Sequence, residues 1–162
     1  MSCDDLLFED CSVAYWDNFH NILGQNKLSI LCFNARSILN KFTDFKTYLS
    51  MINFRFTFLL ITETWLHENS NISLELPGYK SLSVYRGESQ RGGGLKLFYL
   101  NNIKCTLIQE HSLCLPYVET LTVKCLIPSF GSLVIVGVYR PPQGDMDSFL
   151  LSLQRLVDVH SG

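Results

Sequence analysis

The sequence lacks a long hydrophobic run. Across its 162 residues, Lys, Arg, Asn or Asp interrupts every apolar stretch before it reaches the roughly 18 residues that cross a membrane. The first five residues, Met1 to Asp5, contain two acids where a signal peptide needs basic side chains. We therefore expect an intracellular protein, in the nucleus or the cytoplasm, that is neither secreted nor bound to a membrane.

Paired cysteines are also missing. The six cysteines include no C-x-x-C pair, and several fall inside predicted strands, so zinc and redox motifs find no support. We expect reduced, mostly buried thiols. The cysteines are Cys3, Cys11, Cys32, Cys105, Cys114 and Cys125.

The chain has no strong charge of either sign. Fifteen acids and 13 Lys or Arg residues give a net charge of −2, but residues 1–26 hold five acids and no Lys or Arg. The remaining residues hold 13 bases and 10 acids, and this small excess of positive charge favours the binding of a polyanion only mildly. We interpret residues 1–26 as an acidic N-terminal extension, compatible with a helix over about Val13 to Leu23, and residues 27–162 as one globular domain.

Three apolar runs end abruptly in a polar side chain: residues 28–33 precede Asn34, residues 56–62 precede Glu63, and residues 132–138 precede Tyr139. Such runs, which do not alternate, indicate strands buried on both faces. If these strands lie side by side and point the same way, an amide, a carboxylate and a phenol converge at one rim of a sheet, where α/β sheets place ligands. Alternatively, each strand ends in a polar residue because it reaches solvent.

Two helices are predicted from the apolar spacing. The first follows residue 37, with Ser37 as its N-cap, and completes a βαβ-like unit between the strands at 28–34 and 56–62. The second begins with Asp147 as its cap. The residues predicted to face inward are Ile38, Phe42, Phe45, Leu49 and Ile52 in the first helix and Phe149, Leu150, Leu153, Leu156 and Val157 in the second.

Further strands are predicted over residues 79–85, 95–100, 103–109 and 117–127. The last of these alternates, and it places Glu119 on its apolar face, so we expect this carboxylate to accept hydrogen bonds in a polar cluster near the rim. Residues 92–94 are three glycines that match no phosphate-loop spacing, so their expected role is to let two backbones approach closely.

Six short segments carry a family resemblance. They are residues 34–38 (NARSI), 62–66 (TETWL), 76–79 (LPGY), 91–94 (RGGG), 118–119 (VE) and 138–142 (VYRPP). In this order they resemble the endonuclease domain of LINE-type (non-LTR) retrotransposon reverse transcriptases. That domain belongs to the endonuclease/exonuclease/phosphatase superfamily, with the AP endonucleases and pancreatic DNase, and the similarity runs from about Leu28 to the C-terminus.

The resemblance implies an α/β sandwich with two sheets packed face to face, of which the N-terminal half to two-thirds is present. It also implies a Mg²⁺-dependent cleavage of DNA, used in whole relatives to prime reverse transcription. By resemblance, Glu63 binds the metal, Asn34 contacts the metal and the phosphate, Tyr139 contacts the attacked phosphate, and Glu119 supports the site. The basic residues expected to contact DNA are Arg36, Arg86, Arg91, Lys96 and Arg140.

Two motifs of that family have no match in this chain. An Asp-x-Asn segment should follow the last helix and a Ser-Asp-His segment should end the domain; neither Asp145 nor the Asp158-Val159-His160 segment is a substitute. We therefore expect one half of a Mg²⁺ site at most, in a truncated and catalytically inactive endonuclease domain. The alternative is a non-catalytic fragment that binds nucleic acid, or that binds a protein partner through an uncovered sheet. A third possibility, a phosphatase of the same superfamily, is disfavoured by the segments at 62–66 and 140–142.

Overall fold

The computed structural model describes residues 28–69, 73–87, 92–128 and 130–160. The predicted extension at 1–26, its helix, and Arg91 therefore lie outside the described residues. The α-helices are α1 (Phe42–Ile52) and α2 (Met146–His160), and short 3-10 turns cover Leu39–Lys41 and Gln109–His111. The strands are β1 (Ile30–Asn34), β2 (Phe58–Thr62), β3 (Tyr79–Val84), β4 (Leu95–Leu100), β5 (Lys104–Leu107), β6 (Glu119–Ile127) and β7 (Gly131–Tyr139).

The strands form two sheets. The first has the order β1-β2-β4-β3, with β1 and β2 parallel and the other pairs antiparallel, so the predicted βαβ-like unit through α1 is confirmed. The second sheet is antiparallel, with the order β5-β6-β7. Because β7 belongs to the second sheet, the three strands that end in Asn34, Glu63 and Tyr139 do not lie side by side in one sheet, so the condition set for one shared rim is not met.

The first sheet is covered on both faces. On one face, Leu59 and Ile61 of β2 pack with Phe42 and Phe45 of α1. On the other face, β2 and β4 share a core with β6, the strand at the centre of the second sheet. The prediction that residues 56–62 are buried on both faces is confirmed for residues 56–61, and Thr62 at the end of the run is half-buried. The side chains in this second core include Phe58, Leu60, Leu95, Leu97, Leu121, Val123 and Cys125.

Gly137 of β7 lies against Leu60 of β2, across the two sheets. A Cβ atom added at this residue would lie 2.7 Å from Cδ1 of Leu60, so a larger residue would push β7 away from β2. This contact draws the C-terminal end of β7 towards β2, which positions Tyr139 two residues later.

Both predicted helix caps were wrong. Ser37 has a left-handed backbone (φ 76°), and Lys41 occupies the N-cap position of α1 with no side-chain hydrogen bond. In α2, the Asp145 carboxylate accepts a hydrogen bond from the Ser148 N–H (2.8 Å), so Asp145 rather than Asp147 caps the helix.

Three burial predictions were also wrong. Every side chain of α2 is exposed or half-buried, including Leu150 and Val157, and none belongs to either buried core. In the described part of the chain β7 is an edge strand, so its side chains are mostly half-buried rather than covered on both faces. Cys32 is exposed, and Cys105 and Cys114 are half-buried.

A helix that crosses a bilayer must be both long and apolar. Of the residues described here, no helix combines the length and the apolar character needed to span a membrane.

Candidate active site

The first two parallel strands place Asn34 and Glu63 next to each other. The pairing of β1 with β2 continues into the loops that follow both strands, because Ser37 donates its N–H to the carbonyl of Glu63 (2.9 Å) and Ile38 donates to the carbonyl of Thr64 (3.1 Å). The two loops are therefore held together by backbone bonds. Their first polar side chains emerge at the same edge of the sheet.

Glu63 is the centre of the site. Its Oε1 atom accepts a hydrogen bond from Nδ2 of Asn34 (3.2 Å) and a second from the hydroxyl of Tyr139. Tyr139 comes from the second sheet, so the cluster bridges the two layers of the sandwich. The structure thus brings together all three residues that the sequence singled out, across two sheets rather than along one rim.

The Tyr139 hydroxyl is held in its neutral form. Burial is the largest influence that raises the pKa of Tyr139. The hydrogen bond to Glu63 raises this pKa further, and the negative charges of Glu63 and Glu119 act in the same direction. A neutral phenol can donate to an oxygen anion. At neutral pH the site therefore combines one carboxylate, one amide and one phenol donor.

Glu119 lies beneath this cluster and is completely buried. Its Oε1 atom forms an ion pair with Arg86, and its Oε2 atom accepts a hydrogen bond from the N–H of Gly94 (2.8 Å). Burial raises the pKa of Glu119, while Arg86 and the Gly94 N–H oppose that rise. The carboxylate accepts hydrogen bonds near the rim, as we expected from its place at the start of an apolar strand face.

The glycine run connects Glu119 to the Glu63 loop. The carbonyl of Gly94 accepts a hydrogen bond from the N–H of Thr64 (3.1 Å), and the carbonyl of Gly93 accepts one from the N–H of Trp65 (2.8 Å). These bonds hold Glu63 and Trp65 in left-handed conformations, with φ values of 50° and 56°. Such conformations are uncommon for residues other than glycine and cost free energy, so the surrounding bonds must stabilise them.

The basic residues differ in their environments. Arg36 is exposed on the loop after β1, and its backbone N–H donates a hydrogen bond to Oδ1 of Asn34 (3.2 Å). Arg140 donates to the carbonyl of Gly144 (2.9 Å), and Arg86 is engaged by Glu119. The expectation for Lys96 was wrong, because this side chain is buried, donates to a neighbouring strand, and has its pKa lowered by burial.

The oxygen atoms at Glu63 suit a hard divalent cation in type. In the described residues the hydrogen bonds of Glu63 go to Oε1, which leaves Oε2 able to bind a cation. Asn34 turns its Nδ2 towards Glu63 and its Oδ1 towards the Arg36 N–H, so its amide would have to rotate to present the oxygen to the same cation. Magnesium prefers carboxylate and amide oxygens and often takes one or two protein ligands plus water. The described ranges contain no group of three or more His, Cys, Asp or Glu side chains that could hold a metal, so the protein would supply only part of the coordination shell.

Sequence reasoning missed two features of the site. It did not identify the contact of Trp65 with the glycine run, and it did not pair Arg86 with Glu119. The three consecutive glycines at 92–94 were the feature of the sequence that could have indicated the contact with Trp65. These allow positive φ values at Gly92, Gly93 and Gly94.

The fold is shared with solved nucleases. No model of a protein family and no curated protein matches the sequence. Among solved structures, the chain is similar to the endonuclease domain of TRAS1, a telomere-specific non-LTR retrotransposon (TM-score 0.57, 10% identity, 82% of this chain and 55% of that one). It is also similar to the AP endonuclease LMAP from Leishmania major (TM-score 0.55, 16% identity, 81% of this chain and 46% of that one).

A third similar structure is a 3′ phosphatase, NExo, from Neisseria, bound to a product DNA hairpin (TM-score 0.50, 10% identity, 82% of this chain and 51% of that one). At these identities the similarity concerns the fold. The chain has the two-sheet α/β fold of the endonuclease/exonuclease/phosphatase type, as the resemblance implied, and it spans about half the length of the structures it matches.

Proposed function

We propose that this chain carries the metal-binding and phosphate-binding half of a Mg²⁺-dependent DNA endonuclease site, with little or no cleavage of its own as these 162 residues. The observation that carries the proposal is the Glu63 carboxylate, shared by Asn34 and Tyr139 from two different sheets. The fold similarity to the TRAS1 endonuclease domain and to an AP endonuclease supports DNA as the substrate class.

Each residue of the cluster has a distinct role in this proposal. Glu63 and Asn34 would hold the cation, which when bound supplies positive charge that offsets the charge developing on the phosphate. The neutral Tyr139 hydroxyl has a raised pKa and a single proton, which it donates to Glu63 in this structure. With a cation on Glu63, this O–H would be free to turn and donate to a phosphate oxygen. Arg36 and Arg140 would attract the DNA backbone by their charge.

The low activity that we propose comes from the lack of a group to activate water among the acids and bases considered next. Among the described residues, Asp145 caps α2, Asp158 accepts a hydrogen bond from Gln154 (2.8 Å) within that helix, and His111 and His160 contact each other (3.0 Å between ring nitrogens). These acids and bases are engaged away from Glu63. A positioned general base contributes about 10² to 10⁴ in rate, so a site without one would cleave DNA very slowly.

A second candidate function is a protein-binding module. It is favoured by the apolar surface of α2 formed by Leu150 and Val157, which are seven residues apart on one side of the helix and each more than half exposed. Apolar groups that remain exposed together often mark a contact with another protein. This function does not depend on Glu63, which makes the two candidates separable.

The first prediction uses supercoiled plasmid DNA at constant ionic strength, with Mg²⁺ or with EDTA. We expect no nicking above background in either buffer. We also expect DNA binding that is tighter in Mg²⁺ than in EDTA, because Glu63 would hold the cation, whose charge would attract a phosphate. Glu63→Gln should abolish the Mg²⁺ effect, whereas Glu110→Gln, an exposed acid on the 3-10 turn at 109–111, should leave it unchanged.

Two outcomes would contradict this account. Mg²⁺-dependent nicking that disappears in Glu63→Gln would show an active enzyme and overturn the inactive part of the proposal. DNA binding that responds to neither Mg²⁺ nor Glu63→Gln would overturn the site itself and favour the protein-binding module.

A further inference from the structure

The indole of Trp65 lies at the edge of the site and is 38% exposed. Only Thr64 separates it from Glu63 in the chain, and consecutive Cα atoms are about 3.8 Å apart, so the Cα atoms of Glu63 and Trp65 lie within about 7.6 Å of each other. The other strongly exposed apolar side chains lie mainly on α2 and around the β6–β7 turn. Trp65 is thus an exposed aromatic side chain placed beside the cluster rather than part of the apolar surface of α2.

The backbone holds Trp65 in an unusual conformation. A left-handed φ (56°) is a strong outlier for a bulky residue, yet here it is maintained by the hydrogen bond from the Trp65 N–H to the carbonyl of Gly93 (2.8 Å). The indole also lies along Gly92, where an added Cβ would be 3.5 Å from Nε1. The side chain is therefore oriented by the glycine run before any ligand arrives.

The loops next to Trp65 carry polar and basic residues. The loop that carries Trp65 is bonded to the loop that carries Arg36, through the N–H groups of Ser37 and Ile38, and Asn34 and Glu63 stand at the starts of these two loops. Aromatic residues that anchor protein partners are usually surrounded by apolar contacts. An exposed aromatic plane beside a cation and a phosphate site is instead the arrangement by which proteins bind single-stranded nucleic acid.

We propose that Trp65 stacks on an unpaired base of the DNA strand whose phosphate is bound at Glu63. This inference rests on the proposed function, and it assigns a nucleobase contact to a residue outside the metal-binding and phosphate-binding set. Stacking reads the face of a base and tolerates any sequence. The contact therefore selects DNA with an unstacked base next to the scissile position rather than a particular sequence.

The test uses the fluorescence of Trp65 in the full chain. The sequence contains two tryptophans, Trp16 and Trp65, so Trp16→Phe leaves Trp65 as the reporter. The ligands are a single-stranded oligonucleotide, a duplex of the same sequence, and inorganic polyphosphate, all in the Mg²⁺ buffer of the plasmid experiment. We expect the oligonucleotide to quench the fluorescence in step with binding measured by anisotropy of a labelled strand, and polyphosphate to bind without quenching.

Substitutions give a second readout. Trp65→Ala should weaken single-strand binding between about 5-fold and 100-fold, as expected for one lost stacking contact, while Trp65→Phe should keep most of the affinity. Phe130→Ala, at an exposed aromatic on the β6–β7 turn, should leave the affinity unchanged. Circular dichroism of each variant reports whether it is folded.

The outcomes separate this inference from the proposed function. Binding of the oligonucleotide without quenching, or equal affinity for Trp65→Ala and the parent, overturns the stacking contact even if Mg²⁺ and Glu63 behave as proposed. Quenching that tracks binding supports the contact even if Glu63→Gln changes nothing. If no oligonucleotide binds at all, both are overturned.

Discussion

Replacing Arg86 by methionine should lower the free energy of unfolding by about 3 to 5 kcal/mol at pH 7, because it removes the cation that faces a completely buried carboxylate. Glu119 would then keep only the hydrogen bond from Gly94. Urea unfolding followed by circular dichroism measures the loss.

This loss should depend on pH in a defined direction. The pKa of Glu119 is already raised by burial, and removal of Arg86 raises it further, because Arg86 is the main influence that lowers it. Because the pKa of Glu119 is higher in the folded than in the unfolded protein, the stability that this group contributes is fully present below the unfolded pKa of about 4.5. That stability is lost as the pH rises through the folded pKa. The difference between the parent and Arg86→Met should therefore be smaller at pH 4.5 than at pH 7.

A double variant provides the control. Arg86→Met combined with Glu119→Leu replaces both charges by apolar groups, so it leaves neither charge unpaired and should be more stable than Arg86→Met alone. If the double variant is as unstable as the single one, or if the loss is the same at both pH values, the buried charge of Glu119 is not the cause.

The second large effect is expected at Gly93. Gly93→Ala should cost more than about 2 kcal/mol, since a left-handed backbone costs a non-glycine residue about 1 to 2 kcal/mol and the new Cβ would overlap with Arg86 and Glu119. It should also displace the carbonyl that holds Trp65. Urea unfolding again gives the magnitude.

Two other glycines separate these causes. Gly131 has a positive φ of 81° but open space around its Cβ position, so Gly131→Ala isolates the backbone cost. Gly87 has neither feature, and Gly87→Ala should change stability by less than about 0.5 kcal/mol. An equal loss at Gly93 and Gly131 would mean that the ion pair moves aside freely, and the glycine run would not restrain the site.

The sequence predicted the strand ends of the first sheet because a βαβ-like unit is local. The helical spacing after β1 and the apolar run before Glu63 together require two parallel neighbours, which places Asn34 beside Glu63. The helix starts were harder to predict. Asp145 and Asp147 both suit an N-cap by residue type, and only the backbone conformation, which depends on the preceding turn, selects Asp145.

Contacts between distant segments could not be predicted from composition. The apolar run before Tyr139 is equally compatible with a central or an edge strand, because hydrophobicity does not reveal whether a neighbour exists. Likewise, Glu119 needed a partner by its position on an apolar face, but nothing near it in the sequence indicates Arg86, which lies 33 residues away. The strand-end pattern singled out Tyr139, and the resemblance assigned it to the phosphate, but neither indicated which side chain it would contact.

The central claim is that Glu63 and Asn34 form part of a site for a hard divalent cation. Manganese, which accepts the same oxygen ligands as magnesium, reports this directly through the electron paramagnetic resonance signal of the unbound ion. We predict one weak Mn²⁺ site that Glu63→Gln weakens by at least about tenfold, since it removes the carboxylate charge, and that Glu110→Gln leaves intact. Equal Mn²⁺ binding by the parent chain and Glu63→Gln would contradict the account.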